Sequence, residues 1–124
     1  MKRKVLVVDD AIFMRNYIRG ILHNSNFEVC GEASDAIEAV EKYKQLKPDL
    51  VTMDIIMPRI DELDGVGAIK KIIDIDPQAN IIVISAIGED HLVKEASNQG
   101  AKAFLIKPFK PDELIKLLKQ IFPD

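Results

Sequence analysis

Asp9-Asp10, Asp54, Ser85 and Lys107 are the residues of this chain whose types could do chemistry together. Each stands directly after a short apolar run: Val5-Leu6-Val7-Val8, Leu50-Val51-Thr52-Met53, Ile81-Ile82-Val83-Ile84 and Ala103-Phe104-Leu105-Ile106. A carboxylate at the end of a buried strand is costly unless something pairs with it. Three carboxylates brought close repel one another, and at least one should resist ionisation. A divalent cation removes that conflict, and hard oxygen ligands with room for water suit Mg²⁺. One carboxylate could then attack a phosphoryl group, with the metal and Lys107 neutralising the phosphoryl oxygens and Ser85 donating to a third. No general base stands in the set, because His23 and His91 fall in helix-like segments. None is needed, since a carboxylate is already deprotonated. Taken singly, each residue has a plainer reading: Asp10 as a helix cap, Lys107 as a solvated charge, Ser85 as a turn residue. Their shared position at strand ends is what makes the set informative.

The elements that must position them alternate. Five β-like runs, the four above and Phe27-Glu28-Val29-Cys30, are separated by segments with helical periodicity. Three of the runs are continuously apolar, as strands covered on both faces should be, whereas the second is shorter and alternates like an edge strand. Met14, Tyr17, Ile18, Ile21 and Leu22 make the stripe of the first helix. Ala36, Val40 and Tyr43 make the second, and Ile69, Ile72 and Ile73 the third. The fourth segment, Glu89 to Gln99, is weakest, with Leu92, Val93 and Ala96 as core candidates and Gly100 as its stop. Leu114, Leu117, Leu118 and Ile121 make a clean stripe after a start signal of Pro111, Asp112 and Glu113. Strand-helix alternation with short connections implies parallel strands and right-handed crossovers, hence an open, doubly wound five-stranded α/β sheet with five helices. Such sheets place their sites beyond the carboxyl ends of the strands.

Composition bounds the rest. The 124 residues suit a single domain, 1–124, with a core that needs no disulfide. A net charge of -3 gives no basic face for nucleic acid. Cys30 is the only cysteine, which rules out an internal disulfide and a cysteine metal cluster and fits a reduced, cytoplasmic setting. The apolar run after Met1-Lys2-Arg3-Lys4 is too short for a signal peptide or a membrane span.

Val7-Val8-Asp9-Asp10, Met53-Asp54-Ile55-Ile56-Met57-Pro58, Ser85-Ala86 and Lys107-Pro108-Phe109 resemble the receiver domains of bacterial response regulators over the whole chain. Ala11-Ile12-Phe13-Met14-Arg15 and Ser85-Ala86-Ile87-Gly88 look most like the stand-alone chemotaxis regulators of the CheY type. The resemblance implies the flavodoxin-like order 2-1-3-4-5, for which flavodoxin and CheY are the standard examples. It implies that Asp54 is the phosphoacceptor, Asp10 a direct Mg²⁺ ligand and Asp9 a ligand acting largely through water. The backbone carbonyl of Ile56 would complete the protein's share of the coordination, and Mn²⁺ could substitute. Lys107 would pair with the phosphoryl group, through a cis bond to Pro108. Ser85 would be the switch hydroxyl and Phe104 the switch aromatic, although Phe104 also reads simply as a core residue of strand five. The implied protein is a signalling switch rather than an enzyme. A histidine kinase phosphorylates it, and phosphate reshapes the helix 4–strand 5–helix 5 surface for a target such as the flagellar motor switch, without contact to nucleic acid or insertion into membrane.

Two departures stand out. In the family a glycine follows Met-Pro closely, but here it arrives only at Gly65, so Glu62-Leu63-Asp64 read as extra. Three residues add about 4.5 Å to a helix or about 10 Å to an open loop. They read either as a longer loop or added helical turn, or as Asp61, Glu62 and Asp64 hanging near the site mouth. Second, Ile56 and Ile87, two residues beyond Asp54 and Ser85, cannot orient water by hydrogen bonding. Slow self-hydrolysis and a separate phosphatase are expected.

Two other classes fit less well. Mg²⁺-dependent phosphatases with an aspartyl-phosphate intermediate usually carry an acid/base Asp two residues after the nucleophile, where this chain has Ile56. A receiver fragment of a DNA-binding regulator would need a further domain after helix five, and the chain as given closes at Phe122-Pro123-Asp124.

Overall fold

The computed structural model describes residues 2–57, 63–86 and 90–123. Its strands are β1 (Arg3–Val8), β2 (Phe27–Ala33), β3 (Leu50–Met53), β4 (Ile81–Ala86) and β5 (Ala103–Lys107). Its helices are α1 (Ile12–Leu22), α2 (Ala36–Leu46), α3 (Gly65–Ile75), α4 (Asp90–Asn98) and α5 (Pro111–Ile121). All strand pairs are parallel, in the order β2-β1-β3-β4-β5.

Alternation along each strand makes two cores. Val5 and Val7, Leu50, and Ile82 and Ile84 face one side, where they meet Met14, Ile18 and Leu22 of α1 and Leu114 and Leu118 of α5. Leu6 and Val8, Val51 and Met53, and Ile81 and Val83 face the other, against Val40 and Tyr43 of α2, Ile69 and Ile72 of α3 and Ala96 of α4. The central strands are therefore buried on both faces and almost wholly apolar, with Thr52 of β3 and Ser85 of β4 as polar exceptions.

Helix ends follow local chemistry. The Asp35 carboxylate accepts from Glu38 N at 2.8 Å at the start of α2. In α5, Glu113 accepts from Lys110 N at 2.9 Å, behind Pro111 in the first turn. Gly100, at φ +117°, ends the α4 segment in a conformation that a side chain disfavours, and a Cβ there would press on Ile73 at 2.9 Å.

Several boundaries differ from the sequence reading. β2 is an edge strand but the longest of the five, because it runs beside all of β1 from Arg3↔Phe27 to Val8↔Ala33, with an irregularity between Val5 and Leu6. That irregularity and Gly31 interrupt the alternation and conceal the strand's second half. β4 extends through Ser85-Ala86 and β5 through Lys107, since Ser85 pairs with Ile106 and Ala86 with Lys107. Tyr17 is not a core residue: it is 39% exposed, and its hydroxyl donates to the Phe109 carbonyl at 2.9 Å. Among the described side chains of α4 only Ala96 is fully buried, while Leu92 and Val93 are half-buried.

Candidate phosphoryl and metal site

The carboxyl ends of β1, β3, β4 and β5 converge. Asp9 follows Val8 and donates its backbone N–H to the Ala33 carbonyl at 3.0 Å, and Asp54 follows Met53 and donates to the Val8 carbonyl at 3.0 Å. The sheet ladder thus extends one residue past β1 and β3 and sets the two carboxylates side by side. Asp9 is 1% and Asp54 4% exposed, whereas Asp10 is exposed. One oxygen from each of the three lies within 4.8 Å of the others. Asp10 does not cap α1; Ala11 is the N-cap and contributes no side-chain bond.

Lys107 completes the pocket from β5. Its Nζ donates to Asp9 Oδ2 at 2.7 Å and to Asp54 Oδ2 at 3.2 Å. The Lys107-Pro108 peptide is cis. Ser85 is buried, and its Oγ lies 3.4 Å from Asp54 Oδ1, a long hydrogen bond. That same oxygen accepts the Ile56 N–H at 2.8 Å. All four residues that the strand-end argument brought together therefore share one pocket with Asp10. Phe104 is half-buried, packed on the same sheet face as Val83, Leu92 and Ile73, next to the strand that carries Ser85. Ile56 is 41% exposed beside Asp54. Asp61, Glu62 and Ile87 lie outside the described residues.

The electrostatics fit a pocket that wants a cation. Burial raises the Asp54 carboxyl above the usual range; the Ile56 N–H and Lys107 pull it back, and Asp9 pushes it up further. The resistance to ionisation expected of clustered acids is present, but burial is its chief cause and repulsion the lesser one. Burial alone would lower Lys107, yet its bonds to Asp9 and Asp54 outweigh that and raise it. Three carboxylates with all-oxygen donors match a hard cation such as Mg²⁺.

Two features of the site were not legible beforehand. Gly65, the first residue of α3, lies against the end of β3: a Cβ there would sit 2.6 Å from Ile55 Cα and 2.9 Å from the Asp54 carbonyl oxygen. The extra residues before it are structural where described. Asp64 is the N-cap of α3, accepting from Gly67 N at 2.8 Å, and Leu63 packs onto the α2–α3 side of the core. Asp64 is thus engaged as the cap of α3. Its signal was available, since Asp followed by Gly before an apolar periodic run is a helix start. The second feature is Arg15, whose Nη1 donates to the Asp9 carbonyl at 2.7 Å. Arg15 and Arg19 sit four apart on one helix face, which hinted at a shared acidic partner, but nothing in the sequence pointed to Glu32 as that partner.

Comparison with known proteins agrees with this geometry. Residues 5–119 match the model of the response regulator receiver domain. A chemotaxis protein CheY of Thermotoga maritima is 51% identical over 121 residues, covering 98% of each chain. The CheY of Bacillus subtilis is 48% identical, covering 97% of this chain and 98% of its own. Among solved structures, a CheX–CheY–BeF3–Mg complex from Borrelia burgdorferi superposes with a TM-score of 0.88 at 35% identity, over 97% of this chain and 89% of the other. The response regulator domain of Thermotoga maritima CheB gives 0.85 at 36% identity, over 97% and 96%. The chain belongs to the response regulator receiver domain family, and its acid pocket lies at the end of a CheY-like sheet.

Proposed function

We propose that this chain is a phosphorylation-gated switch of a chemotaxis-type two-component system, acting in the cytoplasm as a single receiver domain. The observation that carries the reading is the buried Asp54 carboxylate, flanked by Lys107 Nζ at 3.2 Å and Ser85 Oγ at 3.4 Å and grouped with Asp9 and Asp10. An Asp54 oxygen attacks the phosphorus of a histidine kinase's phosphohistidine or of a small acyl phosphate. The phosphorus–donor bond breaks, its electron pair leaves with the donor, and no proton has to be removed from the nucleophile. Asp9, Asp10, Asp54 and the Ile56 carbonyl would hold Mg²⁺, or Mn²⁺ in its place. A bound ion would supply charge neutralisation of the phosphoryl oxygens. Lys107 moves from the carboxylates to the phosphoryl oxygens, and Ser85 donates to another.

The new negative charge draws Ser85 inward, and Phe104 turns into the vacated space on the shared sheet face. The α4–β5–α5 surface then shifts between two states that both pre-exist, to engage a target such as the flagellar motor switch. The shallow burial of α4, with Ala96 alone fully enclosed among its described side chains, supports its movement. The Borrelia structure, a CheX–CheY complex with BeF3 and Mg, supports a second protein acting at this site, which we assign as a phosphatase. Incubation with acetyl phosphate and Mg²⁺, read by intact mass, should add one phosphoryl group to wild type and none to Asp54→Asn. An unlabelled wild type overturns the reading.

A further inference from the structure

Asp9 is held at every oxygen. Oδ2 accepts from Lys107 at 2.7 Å, Oδ1 accepts from Ala11 N at 2.9 Å, and the backbone carbonyl accepts from Arg15 Nη1 at 2.7 Å. The first two bonds belong to the pocket and its turn. The third comes from a side chain that touches no carboxylate of the pocket. Arg15 lies in the first turn of α1, and its side chain is only 15% exposed. Its Nε donates to Glu32 Oε1 at 2.9 Å. Glu32 is the penultimate residue of β2, and Arg19, one turn further along α1, binds its other oxygen. Lys42 of α2 donates to the Glu32 backbone carbonyl, so the strand that carries the carboxylate is itself tied down.

A guanidinium offers donors in a fixed planar fork. Holding Nε against Glu32 therefore fixes the direction of Nη1, and with it the carbonyl between the two acidic side chains of the β1–α1 turn. We propose that Arg15 and Glu32 are positioning residues for the divalent cation site: Glu32 orients Arg15, and Arg15 locks the Asp9-Asp10 turn so that its carboxylates are presented already arranged. The proposal rests on the reading of the acid cluster as a Mg²⁺ site.

The sign of the effect separates positioning from charge. Removing a nearby cation should tighten Mg²⁺ binding if Coulombic repulsion is all that Arg15 contributes. Loss of an orienting partner should weaken it, by about tenfold on the scale usual for outer-shell groups. The test is Mg²⁺ titration of the full chain by calorimetry, with thermal melts of the metal-free proteins alongside. Arg15→Met should raise the Mg²⁺ dissociation constant about tenfold. Arg15→Lys keeps the charge but lacks the fork, so it should stay weak. Glu32→Gln should weaken binding severalfold, whereas Glu28→Gln, the same charge change elsewhere on β2, should not. The double variant Arg15→Met/Glu32→Gln should bind no more weakly than Arg15→Met alone, because Glu32 acts through Arg15.

Unchanged or tighter binding by Arg15→Met, or additive losses in the double variant, overturns the clamp. A fall in melting temperature with unchanged Mg²⁺ affinity also overturns it, by making the contact structural only. Should Arg15→Met fail to fold, the Glu32→Gln and Glu28→Gln pair decides the matter, and equal affinities in those two overturn the proposal. If wild type itself binds no Mg²⁺, the reading of the acid cluster fails and takes the clamp with it; if wild type binds and the variants match it, the clamp alone fails.

Discussion

Lys107 Nζ lies closer to Asp9, at 2.7 Å, than to Asp54, at 3.2 Å. In the unphosphorylated protein the ammonium is therefore held chiefly by a neighbour of the nucleophile, and it keeps a partner when the Asp54 charge alone is removed.

The stability of metal-free protein should reflect this. Asp54 is raised above the ordinary carboxylate range, chiefly by burial. Stability from a group raised in this way is fully present below the ordinary carboxylate pKa and is lost as pH rises through the raised value. Above that raised value the folded protein bears the cost of an ionised, buried Asp54. Asp54→Asn removes that cost while Asp9 keeps Lys107 paired. Its melting point should exceed that of wild type by a few degrees at pH 7 without Mg²⁺, and the gap should close on acidification. Mg²⁺ should stabilise wild type far more than the variant, as thermal melts with and without the ion will show.

Gly65 sets how closely α3 approaches the nucleophile's strand. Gly65→Ala would place a methyl 2.6 Å from Ile55 Cα, a backbone atom that cannot step aside. Overpacking of this kind costs about 1–3 kcal/mol. Urea denaturation should show that loss, and weaker Mg²⁺ binding should accompany it because the Asp54 carbonyl lies in the same contact.

Asp64 should behave differently. It caps α3 through Gly67 N at 2.8 Å. Asp64→Ala should cost about 1 kcal/mol of stability, the usual worth of an N-cap. Mg²⁺ affinity and labelling by acetyl phosphate should be unchanged, which a titration and a mass time course will check.

Thr52 Oγ1 is buried without a hydrogen-bond partner among the described residues. It lies in β3, opposite Val7 and Ile82 in the neighbouring strands. Thr52→Val replaces the stranded hydroxyl with a methyl and should add about 1 kcal/mol, seen as a higher urea midpoint.

Ile56, 41% exposed beside Asp54, offers water no hydrogen bond. Ile56→Asn supplies one. Loss of the phosphoryl group after removal of the donor, followed by intact mass, should speed up severalfold.

The strands, the helices and the grouping of the pocket residues were legible because each rests on short-range signals, whereas the strand order came from the family resemblance. Leu50 to Met53 is buried at every position and apolar at all but Thr52, so β3 was found with its true ends. Asp9, Asp54, Ser85 and Lys107 each follow such a run, so parallel strands alone bring them together. What was missed depends on pairing across distance. Glu32 has no local mark, since its partners Arg15 and Arg19 come from a helix packed beside it, and the irregularity in β2 disguises the strand that holds it. Gly65 looked like a delayed turn residue because the space it must leave belongs to Ile55, known only once α3 has docked.

Asp64 and Gly65 together act as a fixed bearing. The cap defines where the third helix begins, and the missing side chain lets that beginning seat on the nucleophile's strand. A side chain at that seat would be felt directly in the backbone of Ile55 and Asp54.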